Sequence, residues 1–258
     1  MSIEIKILNP HNIMSTSFTS LHIHATSEAS GAAAAVHTAA KINAVLAASP
    51  DAVARVIIAT GASQFHFLAA LINEPVAWDR VEFFHLDEYF DLEITHDASF
   101  RKYLVERFFD KISPSARAVN LLDPADLAGY EAKLRAAPID LACIGIGENG
   151  HIAFNDPGAP FEEEAWVNKR ALDVPCRMQQ VGEGWFADLD ACPTHAASLS
   201  IPAIMACKSI SCVVPDERKR EAVGKSIRDA VDTACPATIL RTHADCALWL
   251  DQNSSPFA

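Results

Sequence analysis

Short apolar runs alternate along the chain with longer stretches whose apolar residues recur at helical spacing, the pattern of a parallel sheet covered on both faces. Residues 21–25 alternate as a short strand, and the alanine-rich stretch 30–48 reads as a helix halted by Pro50. A buried-type strand over 56–59 runs into the turn Thr60-Gly61-Ala62-Ser63, after which Phe65, Leu68, Leu71 and Ile72 keep helical spacing until Pro75. The spacing predicts a strand over 81–86, helices near 99–109 and 124–136, and a central strand within the apolar run 139–146. Strands over 197–201, 209–214 and 246–250 and a helix over 217–230 complete the series. Residues 156–184, rich in glycine, proline and acids, form the least regular stretch and a candidate lid. The expected fold is α/β, a mostly parallel Rossmann-like sheet with helices on both faces. No repeat, low-complexity tract or composition shift marks a boundary, so residues 1–258 are expected to form a single domain.

Charge and cysteine usage narrow the function classes. Twenty-one Lys and Arg stand against 33 Asp and Glu, a net charge of −12, which argues against nucleic acid or an acidic membrane surface as partner. The longest apolar runs fall far short of the ~20 residues that cross a bilayer. Residues 1–12 lack a basic start, an apolar core and a cleavage site, so no secretion signal is expected and the cytoplasm is the expected location. The seven cysteines contain no C-x-x-C pair, which reads as reduced thiols rather than a disulfide framework or a zinc ribbon.

In open parallel α/β sheets ligands bind beyond the carboxyl ends of the strands, and four strand ends carry polar residues. At the turn of Thr60, Gly61, Ala62 and Ser63 a glycine opens a helix, a setting that suits a phosphate. His85-Leu86-Asp87-Glu88-Tyr89 ends a strand; adjacent residues point to opposite faces, so one of Asp87 and Glu88 would be a general base and the other would not share its site. His85 is not joined by a third ligand at a recognisable spacing, and no metal is expected. The run Gly145-Ile146-Gly147-Glu148-Asn149-Gly150-His151-Ile152-Ala153-Phe154-Asn155-Asp156 gathers acids, amides and an imidazole in a tight turn. His151 is the group there suited to proton exchange near neutrality, with Glu148 or Asp156 to orient it. Finally, Arg218 and Lys219 sit at the start of a helix, where cations oppose the dipole unless an anion binds.

Taken together, Leu86-Asp87-Glu88-Tyr89 and the Gly145 to Asn155 run resemble the glucosamine-6-phosphate deaminase (isomerase) family, and the likeness extends over most of the chain. The resemblance implies the family's α/β fold and the conversion of glucosamine 6-phosphate and water to fructose 6-phosphate and ammonia, with no cofactor. It implies that Asp87 is the base moving a proton between C2 and C1, that His151 helps to open the sugar ring, and that Asp156 stands where the family has a glutamate. Lys219 falls on the phosphate-binding lysine, and Thr60, Gly61, Ala62 and Ser63 on the substrate-binding turn. This chain has Asn149 where the best-known members have an aspartate, a loss that Glu148 is expected to make good. The family's phosphate-binding arginine has no clear counterpart; Arg177, just before Gln179 and Gln180, is the nearest substitute. The departures keep galactosamine 6-phosphate in view as the alternative substrate. A 6-phosphogluconolactonase would read Thr-Ala-Ser-Leu-Phe after the histidine, and a sugar-phosphate sensor of a transcription regulator would bring a helix-turn-helix and need neither Asp87 nor His151. The expected partner is an amino-sugar phosphate; a homo-oligomer stays open, because some relatives are hexamers and others monomers.

Overall fold

The computed structural model describes residues 18–257 and the two-residue strand β1, Ile3–Glu4. The reading of residues 1–12 therefore lies, that strand apart, outside the described residues. Ten further strands follow: β2 (Ser20–His24), β3 (Ala54–Ile58), β4 (Val81–His85), β5 (Asp87–Tyr89), β6 (Ala118–Asn120), β7 (Leu141–Ile144), β8 (Val167–Ala171), β9 (His195–Leu199), β10 (Ser209–Val214) and β11 (Cys246–Asp251). The helices are α1 (Ser27–Leu46), α2 (Phe65–Leu71), α3 (Phe100–Leu104), α4 (Leu127–Arg135), α5 (Val174–Gly182), α6 (Ile201–Met205) and α7 (Arg220–Arg228). The main sheet has the order β1-β2-β11-β10-β7-β3-β4-β6, parallel throughout except for β1. Among the described residues no helix is long and apolar enough to cross a membrane.

Both faces of this sheet are covered, which is why its strands are continuous apolar runs rather than alternating ones. Side chains on a strand point alternately up and down, so β4 sends Phe83 to one side and Phe84 to the other. Phe83 packs with Trp78 and Phe108 under α1 and α2; Phe84 joins Tyr130 and Leu134 of α4 in the opposite core. Arg55, at the start of β3, is buried and spends its guanidinium on Glu82 and on the carbonyls of Lys133 and Ala137, closing the C-terminal end of α4. All seven cysteines are buried free thiols.

Three expectations change. Residues 197–201, read as one more strand of the series, appear as β9 in a separate antiparallel sheet, β5-β9-β8. The stretch 156–184, read as irregular, contains β8 and α5. Its helix has a legible start: the side chain of Asp173 accepts from the Cys176 N–H, with Pro175 in the first turn. The helix expected over 217–230 begins as a tight turn, Glu217–Lys219, after Asp216 at φ 88°, before α7 takes over.

The small sheet is tied to the start of α3 by Glu88 of β5, which is fully buried. Its carboxylate accepts from the Ser99 hydroxyl (2.9 Å), the N–H groups of Tyr89, Phe100 and Arg101, and the Arg101 guanidinium (3.1 Å). Breaking a buried pair of this kind leaves an uncompensated charge, a loss of about 3–5 kcal/mol. Glu88→Ala is expected to lower unfolding stability by that order in denaturant titration, whereas truncation of the exposed Glu221, paired only with Lys225, leaves the midpoint unchanged.

Candidate active site

The carboxyl ends of β3, β4, β7 and β10 meet in one cleft of about 510 Å³. Thr60, Gly61 and Ser63 follow β3, Asp87 follows β4, Gly145, Gly147 and His151 follow β7, and Lys219 follows β10; all line the cleft. The wall opposite is supplied by α5 and its end, with Gln179, Gln180 and Glu183. Ala62 does not line it. A larger recess, about 830 Å³, lies at the other ends of the strands, but its charged groups are matched as Lys41–Asp245 and Lys208–Asp140.

Asp87 and Glu88 occupy opposite faces, as strand alternation demands. Glu88 turns to Arg101, and Asp87 turns into the cleft. Burial, reinforced by the neighbouring Glu88 charge, pushes the Asp87 carboxyl up to about 8. His85, one turn of the alternation earlier, is buried beside Arg101 and its pKa falls to about 3, so it stays neutral.

Asp156 is the counterpart of His151: its carboxylate lies 3.3 Å from the imidazole Nδ1. Burial alone would raise the Asp156 carboxyl, but the imidazole, the Asp173 N–H and the Asn149 amide hold it below the ordinary range. Nδ1 faces this carboxylate as a charge contact without an aligned hydrogen bond, and Nε2 is the ring nitrogen turned away from it. The ring lies so close over Gly147 that a Cβ there would sit 2.1 Å from Cε1, which is why this position is glycine. His151, Asp156 and Cys176 also bring an imidazole nitrogen, a carboxylate oxygen and a thiol within 4.8 Å of one another, a set that could hold an ion. Burial and the charges of Asp156 and Asp173 raise the Cys176 thiol well above its usual value, so it remains protonated.

Asn149 does not touch the imidazole. Its side-chain amide donates to Asp156 (3.0 Å) and to Asp173 (3.1 Å), while its carbonyl accepts from the His151 N–H (3.1 Å). The amide thus bridges two carboxylates, the second of which, Asp173, the sequence did not single out. Glu148 is directed elsewhere, with its carboxylate 3.5 Å from Arg218 and 3.8 Å from Lys219. The expectation that Glu148 replaces the missing aspartate beside His151 does not match this geometry.

Lys219 is delivered by a strained turn. The N–H of Asp216 donates to Asp251 (3.3 Å), and the Asp216 carboxylate accepts from the Arg218 N–H (2.9 Å). Arg218 folds back on Asp216, leaving Lys219, whose side chain is 3% exposed, to enter the cleft. Desolvation lowers the Lys219 ammonium pKa in spite of the carboxylates around it. Arg177 is not brought to the cleft: its guanidinium is bound to the carbonyls of Leu189 and Cys192. What α5 presents instead is Gln179, Gln180 and Glu183, with Gln180 held by the Tyr89 hydroxyl at 2.8 Å.

Known proteins share this sequence and fold. The family described as glucosamine-6-phosphate isomerases/6-phosphogluconolactonase matches residues 25–249. The chain belongs to that family. It is 35% identical over 202 residues to a glucosamine-6-phosphate deaminase of Exiguobacterium sibiricum, covering 77% of this chain and 79% of that one. It is 32% identical over 234 residues to glucosamine-6-phosphate deaminase 1 of Giardia intestinalis, covering 85% of each. Among solved structures, a monomeric glucosamine-6-phosphate deaminase superposes with a TM-score of 0.82 at 26% identity over 92% of this chain and 99% of that one. A 6-phosphogluconolactonase of Shewanella baltica, at 17% identity and a TM-score of 0.75 over 93% of this chain and all of its own, shares the fold.

Two outcomes follow for this member of the family. The folded state keeps a proton on Asp87 up to about pH 8 that the unfolded chain releases near pH 4, so stability falls as pH rises between those values. Asp87→Asn should therefore melt higher than the parent at pH 7.5, by at least ~2–4 °C, the shift that ~1 kcal/mol produces at this size, and the two should converge at pH 4. Asn149→Asp would set three carboxylates together and remove both amide donors. It should cost about 1–3 kcal/mol in denaturant titration and lower catalytic turnover instead of restoring it.

Proposed function

We propose that the cleft performs the isomerising deamination of an amino-sugar phosphate: glucosamine 6-phosphate and water give fructose 6-phosphate and ammonia. The observation that carries this is the pairing, in one cleft, of a buried carboxyl near pKa 8 with a carboxylate-oriented imidazole. In this reading Thr60, Gly61, Ser63 and Lys219 receive the phosphate end. His151 exchanges a proton with the ring oxygen through Nε2 to open the sugar, with Asp156 steadying the imidazolium. Asp87 then takes the C2 proton and returns it at C1, which converts the amino aldose to the C2 imine of the ketose. Water adds at C2, the carbon–nitrogen bond breaks, and ammonia leaves.

The relatives' activity and the coverage of the match support the reading, as does the Ile-Ala-Phe-Asn sequence after His151. Seven buried free thiols fit a reducing compartment, and we read the enzyme as cytoplasmic, acting in amino-sugar breakdown.

Ammonia and fructose 6-phosphate release should be measured with glucosamine 6-phosphate, galactosamine 6-phosphate and 6-phosphogluconolactone in parallel. Ammonia from glucosamine 6-phosphate, abolished in Asp87→Asn, is expected; release from the galacto epimer alone would reassign the substrate, and lactone hydrolysis without ammonia would overturn the reading. Because the base must be ionised, kcat/KM is expected to climb with pH toward about 8 and to fall roughly tenfold per unit well below it.

A further inference from the structure

The cation at the phosphate end of the cleft is already matched by a carboxylate. Glu183 lies 3.3 Å from the Lys219 ammonium, and both side chains are almost fully buried, at 4% and 3% exposure. The carboxylate is built in: it accepts from the Gln179 amide (2.9 Å), and its second oxygen accepts from the Trp185 indole (3.2 Å). Its backbone is fixed as well. Glu183 caps α5, Gly184 follows at φ 82°, and the N–H groups of Gly184 and Trp185 donate to the carbonyls of Val181 and Gln180. Glu148 flanks the same ammonium at 3.8 Å.

A buried, unmatched lysine in such a cleft would hold any small anion. With Glu183 fixed against it, the local charge is cancelled, and an entering phosphate meets a carboxylate within its own hydrogen-bonding shell. Net affinity must then come from the rest of the ligand, through the groups that line the cleft away from the phosphate end, Asp87, His151 and the Gln180 amide.

We propose that Glu183 is a specificity-determining residue that weakens the cleft's grip on the bare phosphate group, so that free phosphate and other small anions are rejected and only a phosphate carried on a sugar is retained. The inference rests on the reading of the cleft as a sugar-phosphate site. A carboxylate held by Gln179 and Trp185 imposes this penalty on every anion equally, and the sugar contacts restore affinity for one class of ligand alone.

Calorimetric titration with inorganic phosphate and with fructose 6-phosphate tests it. The full-length protein is expected to bind fructose 6-phosphate at least ~100-fold more tightly than phosphate. Glu183→Gln, near-isosteric and able to keep the Trp185 bond, is expected to tighten phosphate by about tenfold or more and so to narrow the ratio. Glu183→Asp, which keeps the charge, should retain the weak affinity even if Glu183→Gln folds poorly, and Lys219→Met should lose phosphate binding in either background. Phosphate affinity that is unchanged or weaker in Glu183→Gln overturns the proposal and makes Glu183 a positioning residue for Lys219. Weakened binding of glucosamine 6-phosphate with unaltered fructose 6-phosphate binding overturns it too, by assigning Glu183 to the amino group. Failure of the parent protein to bind either sugar phosphate instead sinks the sugar-phosphate reading itself.

Discussion

The cleft depends on a carboxylate that does no chemistry. Glu88 is charged and buried, which is tolerable only when its lone pairs are used, and its donors come from its own strand, from Ser99 and from the first turn of α3. Satisfying them fixes the path from β5 through the loop to α3. On a strand, turning one residue toward the loop turns its neighbour away, so the same bonds drive Asp87 into the cleft. The consequence reaches further: β5 pairs with β9 and β9 with β8, which leads into α5. The wall that carries Gln179, Gln180 and Glu183 is thereby set opposite the ends of the parallel strands.

Within that frame the carboxylates are separated in role by what surrounds them. Asp87 is desolvated and lies beside another acid, so it holds its proton to near pH 8 and is poised to exchange it. Asp156, half-buried, is met by an imidazole, an amide and a backbone N–H, and so remains ionised and faces His151. Asn149 is what permits Asp156 and Asp173 to stand so near each other: a neutral double donor between two acids removes the repulsion that a third carboxylate would add. The departure at this position thus follows from the acid at the cap of α5 rather than from the imidazole.

Most of the parallel sheet was legible because its strands are apolar runs separated by periodic helices, a signal that burial on both faces makes strong. The strand ends were legible for the same reason: polar residues there have no place in either core, so Asp87, His151 and Lys219 stood out. The small sheet did not, since β5 has three residues and β8 alternates like any half-exposed segment. Asp173 carried a helix-start signature, an acid with proline two residues on, within a stretch whose composition reads as loop. Arg177 illustrates the limit of matching by residue type. It is a helical neighbour of Gln180, three residues on, yet its long side chain is spent on the carbonyls of Leu189 and Cys192 while Gln180 lines the cleft, so the hydrogen-bond partners and not the position along α5 decide which side chain sees the ligand.

Charge closes the argument. A protein carrying −12 repels a phosphorylated ligand at long range, so its cleft gains little from electrostatic steering. A single buried lysine is the minimum that can anchor the anion, and here the fold spends effort on delivering it: Asp251 holds the N–H of Asp216, Asp216 takes a left-handed backbone conformation, and Arg218 is drawn aside. Cancelling that lysine with Glu183 and Glu148 would be self-defeating if tight anion binding were the aim. It is coherent if the aim is exchange, because a product that keeps the same phosphate must leave the site that bound the substrate, and binding spent equally on both does not raise turnover.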